Sequence, residues 1–190
     1  CLVGSEMCIR DRYKLAADQG NAYAQFAMGS MHGFGNGVPK DYKEAVRWYR
    51  LAAEQGYARA QLAMGSMYDF GDGVPKDYKE AVRWYKLAAV QGHAEAQFYL
   101  GTMYQNGRGV PTDYKVAARW HKLAAEQGYV EAQHNLGVMY ERGLGVPKNY
   151  KEALGWYRLA AEQGDANARD KLAELGILID QEKNNCLLYT

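Results

Sequence analysis

The chain has 190 residues, enough to bury a substantial core as one domain or at most two. Its 23 Lys and Arg nearly balance its 22 Asp and Glu, so the general attraction to nucleic acid or to an anionic membrane that a basic surface brings is excluded. No run of roughly 18 apolar residues occurs, which rules out insertion of a helix across a membrane, and no charged start followed by an apolar stretch marks a signal peptide.

Taken in chain order, the first regular element begins at Tyr13. Cys1–Arg12 stands outside the pattern that follows: where the periodicity calls for something like DYKEAVRW, the chain reads SEMCIRDR, Ser5–Arg12. From Tyr13 the sequence repeats every 36 residues. The four tryptophans are Trp48, Trp84, Trp120 and Trp156, and the four prolines are Pro39, Pro75, Pro111 and Pro147. LAADQG at Leu15 returns as LAAEQG at Leu51, LAAVQG at Leu87, and LAAEQG at Leu123 and Leu159. The units run 13–48, 49–84, 85–120 and 121–156, a partial fifth starts at 157 and reaches 178, and 179–190 is a tail.

Each unit holds two helices, here called B and A. Asp41 is an N-cap, and Glu44 three residues later predicts a capping box; Asp77 with Glu80 and Asn149 with Glu152 repeat it, whereas Asp113 faces Val116. Behind the cap, Tyr42, Ala45, Val46, Tyr49, Ala52 and Ala53 form an apolar stripe at helical spacing, and Gly56 stops helix B. Helix A follows, for example Ala58 to Phe70. The turn GDGVPKD, Gly71 to Asp77, comes next: Gly73 relieves the backbone and Pro75 forbids helix until the next cap. Equivalent turns are Gly35–Asp41, Gly107–Asp113 and Gly143–Asn149. A single hairpin of this kind cannot bury its apolar face, but stacked hairpins can, so the expected fold is an all-α solenoid of antiparallel helix pairs.

The pattern GxGVxxDxxxAxxWYxxAAxxGxxxAQxxLG resembles that of the Sel-one-like repeat family, a tetratricopeptide-like group. Gly107–Gly137 shows it almost in full as GRGVPTDYKVAARWHKLAAEQGYVEAQHNLG, with His121 where the pattern has Tyr. The resemblance runs from Tyr13 to about Leu175. It implies a superhelix whose concave face is lined by helix A, and an adaptor that assembles other proteins, often in bacterial envelope, signalling or host-interaction settings.

Comparing the copies with one another locates the face free to specialise. Counting helix A from the glycine before it, positions 2, 4, 5, 8, 9, 11 and 12 barely change, whereas 3, 6, 7, 10, 13 and 14 do. At about 100° per residue the two sets fall on different arcs. The changing set is Tyr23, Phe26, Ser30 and Phe34 in the first copy, then Arg59, Leu62, Ser66, Asp69 and Phe70. It continues as Glu95, Phe98, Tyr99, Thr102, Gln105 and Asn106, and ends with Glu131, His134, Asn135, Val138, Glu141 and Arg142. These residues are expected to line the groove and to grade from aromatic to acidic and polar. The expected partner is a protein or peptide segment with apolar anchors followed by basic or polar residues. Exposed aromatics such as Phe34 and Phe70 point the same way, because monomers avoid large apolar patches.

The periodic tryptophans are expected to pack rather than to bind, and Gly65, Gly101 and Gly137 inside helix A predict close approach of another helix. No catalytic, cofactor or metal site is expected. The GxG turns lack the strand, third glycine and Lys-Ser/Thr of a phosphate loop. His32, His93, His121 and His134 stand singly, and His93-Ala94-Glu95 has no PCxxC to complete a deaminase motif. A hydrolase of the penicillin-binding or β-lactamase type, described for cysteine-rich relatives, and a structural part of an envelope assembly are the alternatives. Cys1, Cys8 and Cys186 all lie outside the repeats. CLVGSEMCIRDR and the terminal CLLYT resemble translated sequencing-adaptor read-through, so natural sequence is expected over roughly Tyr13–Asn185, and the ends carry no expectation about compartment or full repeat number.

Overall fold

A computed structural model describes the backbone of residues 6–187 and the side chains of residues 10–176. Among the described residues every regular element is a helix: α1 Glu6–Asp18, α2 Ala22–Phe34, α3 Tyr42–Glu54, α4 Ala58–Phe70, α5 Tyr78–Val90, α6 Ala94–Asn106, α7 Tyr114–Glu126, α8 Val130–Arg142, α9 Tyr150–Glu162 and α10 Ala166–Leu187. Odd-numbered helices are helix B and even-numbered ones helix A. Each packs most heavily on its neighbours in the chain, which is the arrangement of a solenoid. None of the described helices is long and apolar enough to cross a membrane.

Helix α1 begins at Glu6, the position equivalent to Tyr42, so the backbone of helix B is full length there although the side-chain pattern starts at Tyr13. Likewise α10 runs on through residues 179–187. The reading of the ends as foreign sequence covers Cys1–Arg12 and 186–190, of which residues 1–5 and 188–190 and the side chains of 6–9 and 186–187 lie outside what the structure describes.

The capping differs from expectation in one respect. Asp41 Oδ1 accepts from the Lys43 and Glu44 amides at 2.9 and 3.1 Å, as an N-cap should. The reciprocal bond of a capping box does not form. Instead the Asp41 amide donates to the His32 carbonyl at 2.9 Å, and Asp77, Asp113 and Asn149 donate to Tyr68, Tyr104 and Tyr140 in the same way. With that donor already satisfied by the end of helix A, Glu44 turns to Arg47 and Glu80 to Arg83, each at 2.9 Å.

The glycines mark joints between repeats. Gly73 has φ +71°, and a Cβ on it would strike the Tyr42 carbonyl; Gly109 and Gly145 meet Tyr78 and Tyr114 alike. The turn therefore rests on the start of the preceding helix B, a role beyond easing the backbone. Inside helix A, a Cβ at Gly137 would lie 2.7 Å from the Tyr157 ring and one at Gly101 2.9 Å from His121. The helix-propensity cost of about 1 kcal/mol per glycine is offset by close ring-on-backbone packing. That ring position of helix B is buried at Tyr49, Tyr85, His121 and Tyr157 and half-buried at Tyr13 in α1. Trp48 and Trp84 are buried as expected, with Trp84 in one core cluster with Tyr49 and Met64, while Trp120 and Trp156 are half-buried.

A line of glutamines ties the stack together. Gln61 Nε2 donates to the Ala53 carbonyl at 3.1 Å, and Gln61 Oε1 accepts from Gln91 Nε2 at 2.7 Å. Gln25 with Gln55, Gln97 with Gln127 and Gln133 with Gln163 repeat the link. Each helix-A glutamine is buried, so both ends of its amide must be satisfied, and here they are.

Candidate partner-binding groove

Helix A places ten of its changing positions on two recesses, each spanning three successive even-numbered helices. The first, of about 450 Å³, is formed by Phe26, Ser30 and Phe34 of α2, Tyr49 of α3, Arg59, Leu62 and Ala63 of α4, and His93 and Glu95 at the start of α6. The second, of about 620 Å³, is formed by Phe98 of α6, Val130, Glu131, His134 and Asn135 of α8, and Gln163, Gly164, Asp165 and Asn167 leading into α10. The two meet along α6, where Glu95 belongs to one and Phe98 to the other.

The aromatic end is partly built into the core. Phe26 packs on Tyr49 and Tyr57 with ring centroids 5.6 and 5.4 Å apart, and Phe98 packs on Tyr129 and His121 at 5.2 and 5.5 Å. Phe34 is 75% exposed and Tyr23 52%, so these rings have apolar surface to offer. Burial draws the His93 imidazole below its usual value, with Glu95 opposing and Arg59 reinforcing the shift. In the second recess His134 Nδ1 lies 2.9 Å from Asp165 Oδ2, an ion-pair distance off hydrogen-bond alignment, while Asp165 Oδ1 accepts from the Ala168 amide at 3.2 Å and so caps α10. Glu131 remains exposed beside them.

Positions 10 and 13 are not a free face, and Asp69, Gln105 and Glu141 are corrected accordingly. Asp69 is buried, and Gln105 and Glu141 are half-buried against helix B. The Tyr157 hydroxyl donates to Glu141 Oε2 at 2.6 Å, and His121 Nε2 lies 3.2 Å from Gln105 Oε1. The Tyr49 hydroxyl donates to Ser30 Oγ at 3.3 Å, and the Tyr85 hydroxyl and Ser66 Oγ share a 3.4 Å bond. These positions change because they serve the polar tip of a buried ring. Burial, the Glu141 bond and its charge all push the Tyr157 phenol up; burial pushes Tyr85 up, with Ser66 opposing and Asp69 adding. Burial alone draws His121 down to about 4.

Of the remaining expected residues, Tyr99 stacks on Tyr85 at 5.3 Å and 15°, and Phe70, Asn106 and Arg142 are exposed at the ends of their helices, lining neither recess. His93, Asp165 and Asn167 were not anticipated. A signal for two of them existed: position 1 reads Asn21, Tyr57, His93, Tyr129 and Asp165, four residue types in five copies.

The Sel1 repeat family pattern matches residues 22–57, 58–93, 94–129 and 130–165. Sel1-repeat proteins generally serve as protein-interaction scaffolds and are typically non-enzymatic. Among solved structures, the chain is similar to c5321, a protective antigen present in uropathogenic Escherichia coli strains that displays this fold, with 42% identity and TM-score 0.86. The match covers 87% of this chain and 36% of that one. It is also similar to a Sel1 repeat protein from Oxalobacter formigenes, at 40% identity and TM-score 0.78, covering 82% of this chain and 64% of the other. The chain thus spans about a third of the first and under two thirds of the second. Helicobacter pylori cysteine rich protein B shares the fold at 24% identity and TM-score 0.56, covering 70% of this chain and 96% of that one. No curated protein sequence matches the chain.

Proposed function

Because the chain belongs to the Sel1 repeat family, we propose that it is a protein-binding scaffold whose helix-A side seats an extended partner segment, apolar residues in the first recess and basic residues in the second. The observation that carries this is the succession of the two recesses along α2, α4, α6, α8 and α10, both reaching α6, with Phe26, Phe34 and Leu62 at one end and Glu131 and Asp165 at the other. Apolar anchors give affinity and the acidic end gives orientation and partner choice.

The hydrolase alternative is not supported. The cysteine-rich Helicobacter protein shares only the fold, and Cys1, Cys8 and Cys186 of this chain all lie outside residues 22–165.

Selection of peptides from a random library against the immobilised chain tests the reading. The enriched sequences should carry one or two large apolar residues followed by Lys or Arg. Their binding should weaken with Phe34→Ser, which removes an exposed ring, and with Glu131→Lys, which reverses an exposed charge; neither change touches the core. Enrichment without that order, or binding indifferent to both substitutions, would overturn it.

A further inference from the structure

A separate crevice of about 280 Å³ lies between α7 and α8, sharing no residue with the two recesses. Lys115, Arg119 and Lys122 line one side, Tyr140 stands across from them, and Leu136 and Val146 supply apolar wall; its lining holds no carboxylate.

The same place in the earlier repeats is already occupied by the protein's own groups. Glu44 and Glu80 hold Arg47 and Arg83, both guanidinium groups lie over their neighbouring tryptophans at 4.7 and 4.5 Å, and Arg50 donates to the Tyr68 hydroxyl at 3.1 Å. In α7 two substitutions release it. Val116 stands where those repeats have Glu, so Arg119 has no ion-pair, hydrogen-bond or stacking partner among the described residues. Ala118 stands where they have Val46 and Val82, which removes two methyl groups from the floor. Lys122 keeps only a loose contact with Glu126 at 3.8 Å.

We propose that this crevice binds a phosphate monoester. Three cations around one space suit a dianion better than a carboxylate, a guanidinium offers paired donors to phosphate oxygens, and the Tyr140 hydroxyl adds a neutral donor. The space exceeds what a bare five-atom oxyanion fills, and Leu136 and Val146 give the organic part of an ester an apolar wall. The ester could belong to a free small molecule or to a phosphorylated side chain of a partner.

Isothermal titration of the full chain with inorganic phosphate, phenyl phosphate and a phosphotyrosine peptide tests this. Saturable binding of at least one ester, at least several-fold tighter than inorganic phosphate, is expected. Tighter binding of the peptide assigns the partner's side chain as the source, and tighter binding of phenyl phosphate assigns a free ester. Val116→Glu gives α7 the carboxylate that its sister helices carry and so keeps the fold; it should weaken ester binding at least tenfold by capturing Arg119. Arg119→Gln should do the same, and Arg83→Gln, at the equivalent place in α5, should leave binding unchanged. Lack of saturation with either ester, equal binding of inorganic phosphate, or full binding by a folded Val116→Glu chain overturns the assignment.

Discussion

Acidification should weaken this fold through His121, and replacing that residue with Tyr should remove the effect. The imidazole is fully buried at a ring position that holds Tyr49, Tyr85 and Tyr157 in the other repeats. Its Nε2 meets Gln105 Oε1 at 3.2 Å, a bond to a carbonyl oxygen that needs the proton on Nε2; Nδ1 then stays bare in a space walled by Phe98 and Gly101. Protonating Nδ1 would bring an unpaired charge and a donor into apolar surroundings, and burial accordingly lowers the imidazole from 6.5 to about 4. Between those values the unfolded chain binds a proton that the folded chain refuses, so stability is whole above pH 6.5 and falls as pH drops toward 4. From the two pKa values the loss is about 2 kcal/mol at pH 5 and approaches roughly 3 kcal/mol below pH 4, at 1.36 kcal/mol per unit. Urea unfolding at pH 7.5 and pH 5.0, for the natural chain and for His121→Tyr, measures it. Carboxylates titrate alike in both proteins, so the difference between the two pH-induced shifts isolates the imidazole. With a urea slope of about 2–3 kcal/mol/M, the natural chain should lose roughly 0.7–1 M more in midpoint than the variant. Parallel losses would refute the reasoning.

Three further outcomes follow from the packing. Gln97→Met should cost about 1–3 kcal/mol by thermal melts, because it strands the Ala89 carbonyl and the Gln127 amide together; Gln127→Met, which keeps the bond to Ala89 and strands the Gln97 Oε1 alone, should cost less in the same melts. Gly155 lies inside α9 with open space around its Cα, so Gly155→Ala should stabilise by about 0.5–1 kcal/mol and raise Tm by roughly 1–4 °C by calorimetry. Gly92 and Gly109 both have positive φ, +88° and +71°, yet a Cβ at Gly92 meets nothing within 4 Å, while one at Gly109 strikes the Tyr78 carbonyl. Both alanine substitutions should carry the left-handed strain of about 1–2 kcal/mol, and Gly109→Ala should be the worse by at least as much again; equal chemical-denaturation midpoints would contradict the joint described here.

Much of the architecture is legible in the sequence because a 36-residue period reports which positions share an environment. The helix read as Ala58 to Phe70 has those bounds in the structure, and the close approach expected at Gly65, Gly101 and Gly137 is ring on backbone. A period does not say what the shared environment is. Constancy at Gln25, Gln61, Gln97 and Gln133 looks like ordinary packing, yet these side chains are hydrogen-bonded bridges between repeats. Variation is equally ambiguous. Tyr23, Arg59 and Glu131 vary in solvent, whereas Asp69, Gln105 and Glu141 vary beside a ring whose own polar atom changes from phenol to imidazole. Two columns that change together across a buried contact mimic a free surface when each is read alone. The capping box failed for a similar reason: Glu44 is correctly spaced, but the amide it would serve is claimed by His32, far away in the pattern and near in space.

The glutamine line also gives the stack a vector. In every link the later repeat supplies the donor and the earlier one the acceptor, so hydrogen-bond polarity points one way along the molecule. In α10 the corresponding residue is Arg169, whose Nη2 reaches back to the Ala161 carbonyl at 3.4 Å. A guanidinium has donors and no acceptor. It can receive nothing from a hairpin placed beyond it, so any further unit would need a joint of different chemistry from the four that precede it.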